Sequence, residues 1–147
     1  DPGVSRSRDH ANPGEAAPPL PALASCFEVD NVMSIPVAAQ LAHTYTECAH
    51  IWNPIHTDRG VALAAGLPDI ILHGTATLAL AVSALVDGQL DGDAGRVSRL
   101  GGRFAAMVLM PSDIELQMGK ADNGSIGFRV LNAQGQEAIS QGFLSYQ

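Results

Sequence analysis

The sequence predicts an α+β protein in which a curved antiparallel sheet wraps around one long, buried central helix. Two observations lead to this class. Nine of the twelve residues from Thr75 to Val86 are apolar and fall on every side of a helical wheel, which is typical of a helix that is buried all round. After residue 95 the apolar period changes from that of a helix to that of strands. An antiparallel meander of about four strands around the helix would bury both elements.

The first 24 residues have the composition of a disordered arm or linker. They hold five of the nine prolines, mixed with Ala, Gly, Ser and charged residues, and show no period that could build a buried face. A single folded domain is therefore expected over residues 25–147, with "SCFEVD" (25–30) as its first short strand.

Two helices are predicted before the central one. Ser34 is a candidate N-cap with Pro36 in the first turn, so "VAAQLAHTYTECAH" (37–50) is expected to be helical. A shorter helix is expected over residues 58–65, with Gly66 in the position that ends it.

The central helix is expected to begin at Gly74 and to end at residues 87–88. The strands that follow are "RVSRLGGRFAAMVLM" (96–110), "DIELQMG" (113–119), "SIGFRVLN" (125–132) and "EAISQGFLSY" (137–146). The connecting sequences "KADNGS" and "NAQGQ" are typical of hairpin turns.

Composition excludes several classes of function. The 147 residues suit one domain, and a net charge of −7 with no basic cluster argues against binding to nucleic acid or to an anionic membrane surface. The most apolar segment, residues 71–86, is too short to span a bilayer. Cys26 and Cys48 form no disulfide framework, so a cytoplasmic location is expected. Only 16% of residues are charged, which favours a second subunit covering part of the surface.

The stretch "HIWNPIHTD" (50–58) carries the first candidate catalytic group. Pro54 biases Asn53 toward an extended conformation, and the Asn53 side chain can tie the loop by hydrogen bonds. Such a loop would hold His56 at a set angle, as general acid–base catalysis requires. The same residues are also compatible with a simple capping turn, and Trp52 with a core or interface anchor.

The stretch "ILHGTAT" (71–77) carries the second candidate. The free amides at the start of the central helix, with no side chain on Gly74 to block approach, form a natural site for a developing oxyanion. The alternative is that Gly74 only allows close packing and that His73 bonds a neighbouring backbone carbonyl.

Together, "WNPIHTD" and "ILHGTATLAL" resemble the MaoC-like dehydratases, a family that includes R-specific enoyl-CoA hydratases and has the hot-dog fold. The matching residues are Asn53, Pro54, Ile55, His56, Asp58, His73 and Gly74. The resemblance spans about residues 25–147. It implies addition of water to an enoyl thioester, or its removal, by an Asp and a His acting on one water, without metal or redox cofactor. It also implies an active site at the seam between two hot-dog units, hence a homodimer or a heteromer with another hot-dog unit.

The sequence departs from the family pattern at one catalytic position. Where the family places its catalytic Asp, this chain has Ile51, which cannot accept a proton. His50 is the preferred replacement and Glu47 the other; two imidazoles would suppress each other's protonation. The resemblance thus implies catalytic roles for His56, His50, Asn53 and Gly74, and substrate contacts from His73, Thr75, Trp52 and Ile51. Arg59 and Arg103 are the candidate basic residues for binding the arm of an acyl-CoA or of an acyl carrier.

Other functions stay open. Ile51 is compatible with an isomerase or cyclase that needs one proton-transfer group, or with a non-catalytic subunit that completes a partner's active site. A thioesterase is less favoured, since the central helix has no acidic residue from Gly74 to Val86. A metal site built from Cys48, His50, His56 and Asp58 fits no standard zinc spacing, so no metal and no cofactor are expected.

Overall fold

The computed structural model describes residues 27–121 and 124–147. The elements are β1 (Asn31–Val37), α1 (Leu41–Ala49), α2 (Arg59–Ala64), α3 (Gly74–Gln89), β2 (Val97–Phe104), β3 (Ser112–Lys120), β4 (Ile126–Leu131) and β5 (Glu137–Tyr146). Short 3₁₀ turns lie at Pro54–His56 and Ala94–Arg96. The predicted arm, residues 1–24, lies outside the described residues. Within the described ranges no helix is long and apolar enough to cross a membrane.

The five strands form one antiparallel sheet in the order β1-β3-β4-β5-β2. The succession β3-β4-β5 confirms the predicted meander for the last three strands. The prediction that β2 would begin this meander is wrong, because β2 pairs with β5 at the far edge. The predicted strand over residues 96–110 also ends early, at Phe104. Residues 105–111 form a crossing connection, and Leu72 donates a backbone hydrogen bond to Val108 across it at 2.8 Å.

The first strand lies later in the chain than predicted. Residues 25–26 of the predicted first strand lie outside the described residues. In its remaining part Phe27 makes only an isolated bridge, and β1 begins at Asn31. Ser34 and Pro36 lie inside β1, so their predicted role at a helix start is wrong. Pro36 is tolerated there because β1 is an edge strand, and the helix begins only at Leu41.

Helix α3 begins at Gly74 as predicted, and it packs its apolar face against the sheet. Ala81 and Leu85 are fully buried, and complete burial of one such leucine contributes about 1.5–3 kcal/mol. The prediction that the helix would be buried on every side is wrong for the single chain. The sheet covers one face only, and an outer stripe of the helix is exposed: Thr75, Ala79 and Ser83.

The hydrophobic core lies between α3 and the inner face of the sheet. Its largest fully buried side chains come from alternate positions of the last three strands and from α3. They include Leu116, Met118, Phe128, Ile139, Leu144 and Leu85. This packing gives the rigid platform from which the start of α3 projects. The fold is that of the hot-dog class.

Candidate active site

The loop before α2 holds His56 in a fixed orientation. Asn53 is extended and its side chain accepts a hydrogen bond from the Ile55 amide at 3.3 Å, so it ties the loop as predicted. Pro54 begins a 3₁₀ turn that ends at His56. Asp58 then caps α2 by accepting from the Val61 amide at 3.0 Å. The chain is therefore restrained on both sides of His56, whose side chain points inward and is buried.

The hydrogen bond of His56 identifies which ring nitrogen is free to react. His56 Nδ1 lies 2.7 Å from the Ile71 carbonyl oxygen, and a carbonyl can only accept, so Nδ1 carries the proton. In the neutral ring Nε2 then presents a lone pair. A histidine in this tautomer can act as a general base at Nε2.

A second histidine stacks on His56. The His73 ring lies with its centroid 3.7 Å from that of His56, at an interplanar angle of 22°. His73 Nε2 is 3.1 Å from the Thr46 hydroxyl oxygen, and the Tyr45 ring lies 4.9 Å away between centroids. His73 Nδ1 is buried and has no hydrogen-bond partner in the described part of the chain.

The surroundings of His73 favour its neutral form. Burial lowers the pKa of His73 below its ordinary value of 6.5, and the neighbouring His56 lowers it further. A backbone interaction with Ile51 acts in the opposite direction and raises this pKa. A neutral His73 can lie against His56 without repelling the charge that His56 acquires when it takes up a proton.

The start of α3 lies beside the two rings. His73 is the N-cap residue and makes no capping hydrogen bond with its side chain, so the first amides of α3 keep their capacity to donate. Gly74 itself is in close contact with the Phe104 ring: a methyl group at position 74 would lie 3.0 Å from that ring. Only glycine leaves this end of the helix open at its present spacing.

His56 and the start of α3 face a common cleft with a volume of about 300 Å³. Its walls come from three parts of the chain: the 71–77 segment, the 104–108 connection and Ala138 of β5. Of the lining residues that the structure describes, only His56 and Thr77 have polar side chains. The arrangement offers a base, a hydroxyl and helix amides in otherwise apolar surroundings.

The structure brings some predicted site residues together and places others apart. His56 and Gly74 line the cleft, and the His73 ring stacks on His56. His50 lies at the C-terminal end of α1 in a left-handed conformation (φ 56°), is exposed, and contacts the Trp52 ring at 5.8 Å between centroids. Ile51 and Thr75 are also exposed.

Other residues at or near the cleft were missed by the sequence reasoning. Thr77 stands three positions after Gly74, a spacing that places both on one helical face and could have been noticed. Thr46 and Phe104 give no such signal, since each comes from a distant segment. Arg59, a candidate for binding an acyl carrier, lies 3.5 Å from Asp69.

Comparisons with known proteins give a family match over most of the chain. The sequence profile of the MaoC like domain matches residues 27–141. The enoyl-CoA hydratase ChsH3 of Mycobacterium tuberculosis is 41% identical over 78 residues, which are 53% of this chain and 27% of that protein. The chain thus spans about a quarter of the length of this curated relative.

Solved structures show the same fold. A MaoC-like dehydratase from Phytophthora capsici superimposes with a TM-score of 0.81 at 22% identity, over 90% of this chain and 47% of that one. The (R)-hydratase from A. caviae gives a TM-score of 0.66 at 18% identity, over 80% of this chain and 94% of the other.

Proposed function

This chain belongs to the MaoC-like domain family, and on that premise we propose that it is a lyase that hydrates enoyl thioesters or dehydrates β-hydroxyacyl thioesters. His56 is the general acid–base group. The observation that carries the proposal is the bond from His56 Nδ1 to the Ile71 carbonyl, which leaves Nε2 free to accept a proton on a residue that lines the same cleft as the start of α3.

The proposed hydration needs one proton carrier. The thioester oxygen accepts a hydrogen bond from the Gly74 amide, and water attacks the β-carbon while one of its protons passes to His56 Nε2. The π electrons of the C=C bond move onto the thioester as an enolate. The α-carbon then takes the proton back from Nε2, giving the β-hydroxyacyl thioester. General acid–base catalysis of this kind contributes about 10²- to 10⁴-fold, and one oxyanion donor about 2.7–4 kcal/mol.

The apolar lining of the cleft is suited to an acyl substrate. Its lining is mostly Ala, Leu, Met and Phe with no carboxylate among the residues described, which suits a short hydrocarbon chain. The chemistry uses neither metal nor redox cofactor. Arg103 is exposed and directly precedes the cleft residue Phe104 in the chain, and it remains the candidate for a phosphate contact with coenzyme A or with a carrier protein.

A second hot-dog unit, identical or related, is the proposed partner. Exposed apolar side chains flank the site in the single chain: Ile51, Trp52, Phe104 and Met107. Large exposed apolar residues grouped at a site mark a surface that another molecule covers. A homodimer or heteromer would complete the walls of the cleft. The expected cytoplasmic location stays a prediction.

Ile51 favours a second candidate function. Without an acidic residue at this position, the chain could complete the active site of a catalytic partner rather than react itself, or run an isomerisation or cyclisation with His56 alone. The prediction that His50 replaces the missing carboxylate is an alternative to this single-base mechanism and is tested beside it.

The test is hydration of crotonyl-CoA by the purified chain, followed as loss of enoyl absorbance. We expect His56→Ala to lower kcat/KM by about 10²- to 10⁴-fold, because the proton acceptor is lost. His50→Ala, at an exposed position, is measured beside it: a comparable loss would confirm His50 as the replacement. Absence of turnover with crotonyl-CoA and longer enoyl thioesters would contradict the proposal and favour the partner-dependent subunit.

A further inference from the structure

We propose that Thr77 holds the reacting water beside His56, as the hydrogen-bond acceptor that a carboxylate would otherwise supply. This inference rests on the proposed function and adds a catalytic residue to it. Neither the matched motifs nor the departure at Ile51 pointed to Thr77.

The wall of the cleft leaves few candidates for this role. A water that attacks carbon needs an acceptor for each of its two protons if its oxygen lone pair is to face the substrate. His56 Nε2 is one acceptor. Of the other lining side chains in residues 27–121 and 124–147, Thr77 alone carries an oxygen. Ile51 has no such atom and is exposed.

The hydroxyl of Thr77 is prepared to accept rather than to donate. The Thr77 O–H group donates a hydrogen bond to the His73 carbonyl at 3.3 Å, and the Thr77 amide donates to the same carbonyl at 3.0 Å. The hydroxyl proton is therefore engaged within the helix, as is common for threonine at this spacing, and the two lone pairs of the oxygen stay available. The side chain is only 2% exposed, so bulk water competes little for them.

The fold keeps Thr77 and His56 together. Thr77 lies one helical turn after His73, and the His73 ring stacks on His56 at 3.7 Å. The other threonines are placed differently. Thr46 bonds His73 Nε2 and does not line the cleft, and Thr75 lies on the exposed stripe of α3. Thr77 and His56 thus both line the cleft.

The experiment compares three variants in the crotonyl-CoA hydration assay: Thr77→Val, Thr77→Ser and, as the control on the exposed stripe of α3, Ser83→Ala. Valine keeps the shape of threonine but has no oxygen, so we expect kcat of Thr77→Val to fall about 10- to 100-fold, the effect of losing one hydrogen bond in the transition state. KM should stay within about threefold, since the water and not the acyl group loses a contact. Thr77→Ser should retain most of kcat, and Ser83→Ala all of it.

Each result of this experiment either supports or overturns the proposed role of Thr77. A Thr77→Val enzyme with normal kcat would overturn the role of Thr77 while leaving the proposed function intact. No turnover by the parent chain would overturn the proposed function and this role with it. If Thr77→Val does not fold, as judged by circular dichroism, Thr77→Ala against Thr77→Ser gives the same contrast. Equal rates for that pair would refute the proposal.

Discussion

At the scale of single residues, the orientation of His56 depends on the backbone rather than on another side chain. Its partner, the Ile71 carbonyl, belongs to a segment that two backbone contacts hold in place. The Leu72 amide donates to the Val108 carbonyl, and Ile71 forms a bridge with Leu109. A neutral carbonyl fixes the tautomer of the ring. It adds no negative charge beside the imidazolium that forms during the reaction, in contrast to the carboxylate of a catalytic triad. In the proposed mechanism, the Ile71 carbonyl would thus orient His56 as the base but add little electrostatic stabilisation to it.

The stacked His73 makes stability depend on pH. Because burial and His56 lower its pKa in the folded state, the unfolded chain binds more protons below about pH 6.5, its unfolded pKa. The stabilisation is therefore fully present above that pH and is lost as the pH falls toward the lower folded pKa. We expect the free energy of unfolding, from urea titrations at pH 7.5 and 5.5, to drop on acidification.

In the His73→Gln variant, the decrease in the free energy of unfolding that His73 causes on acidification should be absent, since glutamine does not titrate. The exposed His43 supplies the matched variant, His43→Gln, against which the pH slope is compared. A slope in His73→Gln as steep as that of the parent chain would show that other groups cause the acid sensitivity.

At the scale of elements, the start of α3 packs against Phe104 and also carries the proposed oxyanion position. The substitution Gly74→Ala tests the effect on stability and the effect on activity separately. The added methyl would lie 3.0 Å from the Phe104 ring, which is half exposed and can shift. We expect a small change in stability, about 1 kcal/mol or less. The hydration kcat should fall at least about tenfold, because the methyl and the displaced ring obstruct the oxyanion position.

Gly88→Ala is the matched control for this prediction. It lies in the same helix, and a methyl group there would meet nothing within 4 Å. It should keep full activity and gain up to about 1 kcal/mol of stability from helix propensity. Equal activity in the two variants would remove Gly74 from the oxyanion role.

Elements whose signals are local could be predicted from the sequence. The bounds of β5, residues 137–146, agree with the prediction, because the turn before it is self-contained. Asn132 there accepts hydrogen bonds from the amides of Gln134 and Gln136, and Gly135 takes the positive φ of 74° that such a turn requires.

Elements defined by distant pairing could not be predicted. Ser34 and Pro36 are equally typical of a helix start and of an edge strand, and only the register of β1 against β3, with Ile35 opposite Ile114, decides between them. The position of β2 beside β5 has no local signal either. At the site, the loop of His56 was predictable from "NPIH", whereas the stack on His73 joins two segments through the fold.

At the scale of the whole molecule, several exposed apolar side chains lie on or next to the edge strand β2, among them Leu100, Phe104 and Met107. Strand β2 is an edge strand and ends at Phe104, which lines the cleft. Its Leu100 is 41% exposed. An uncovered edge beside an apolar cleft is a natural place for a second unit to pair. We therefore expect the proposed partner to bind along β2, so that assembly and activity would depend on the same surface.

The substitution Leu100→Lys tests this arrangement, since a lysine on an edge strand opposes pairing with another strand. We expect sedimentation velocity to show a dimer for the parent chain and a monomer for Leu100→Lys, with a parallel loss of crotonyl-CoA hydration. Val32→Lys is the matched control, because Val32 is similarly exposed, at 52%, on the opposite edge strand β1; it should stay dimeric and active. A dimer that survives Leu100→Lys and dissociates with Val32→Lys would place the partner on β1, away from the cleft. The cleft would then have to function within one chain.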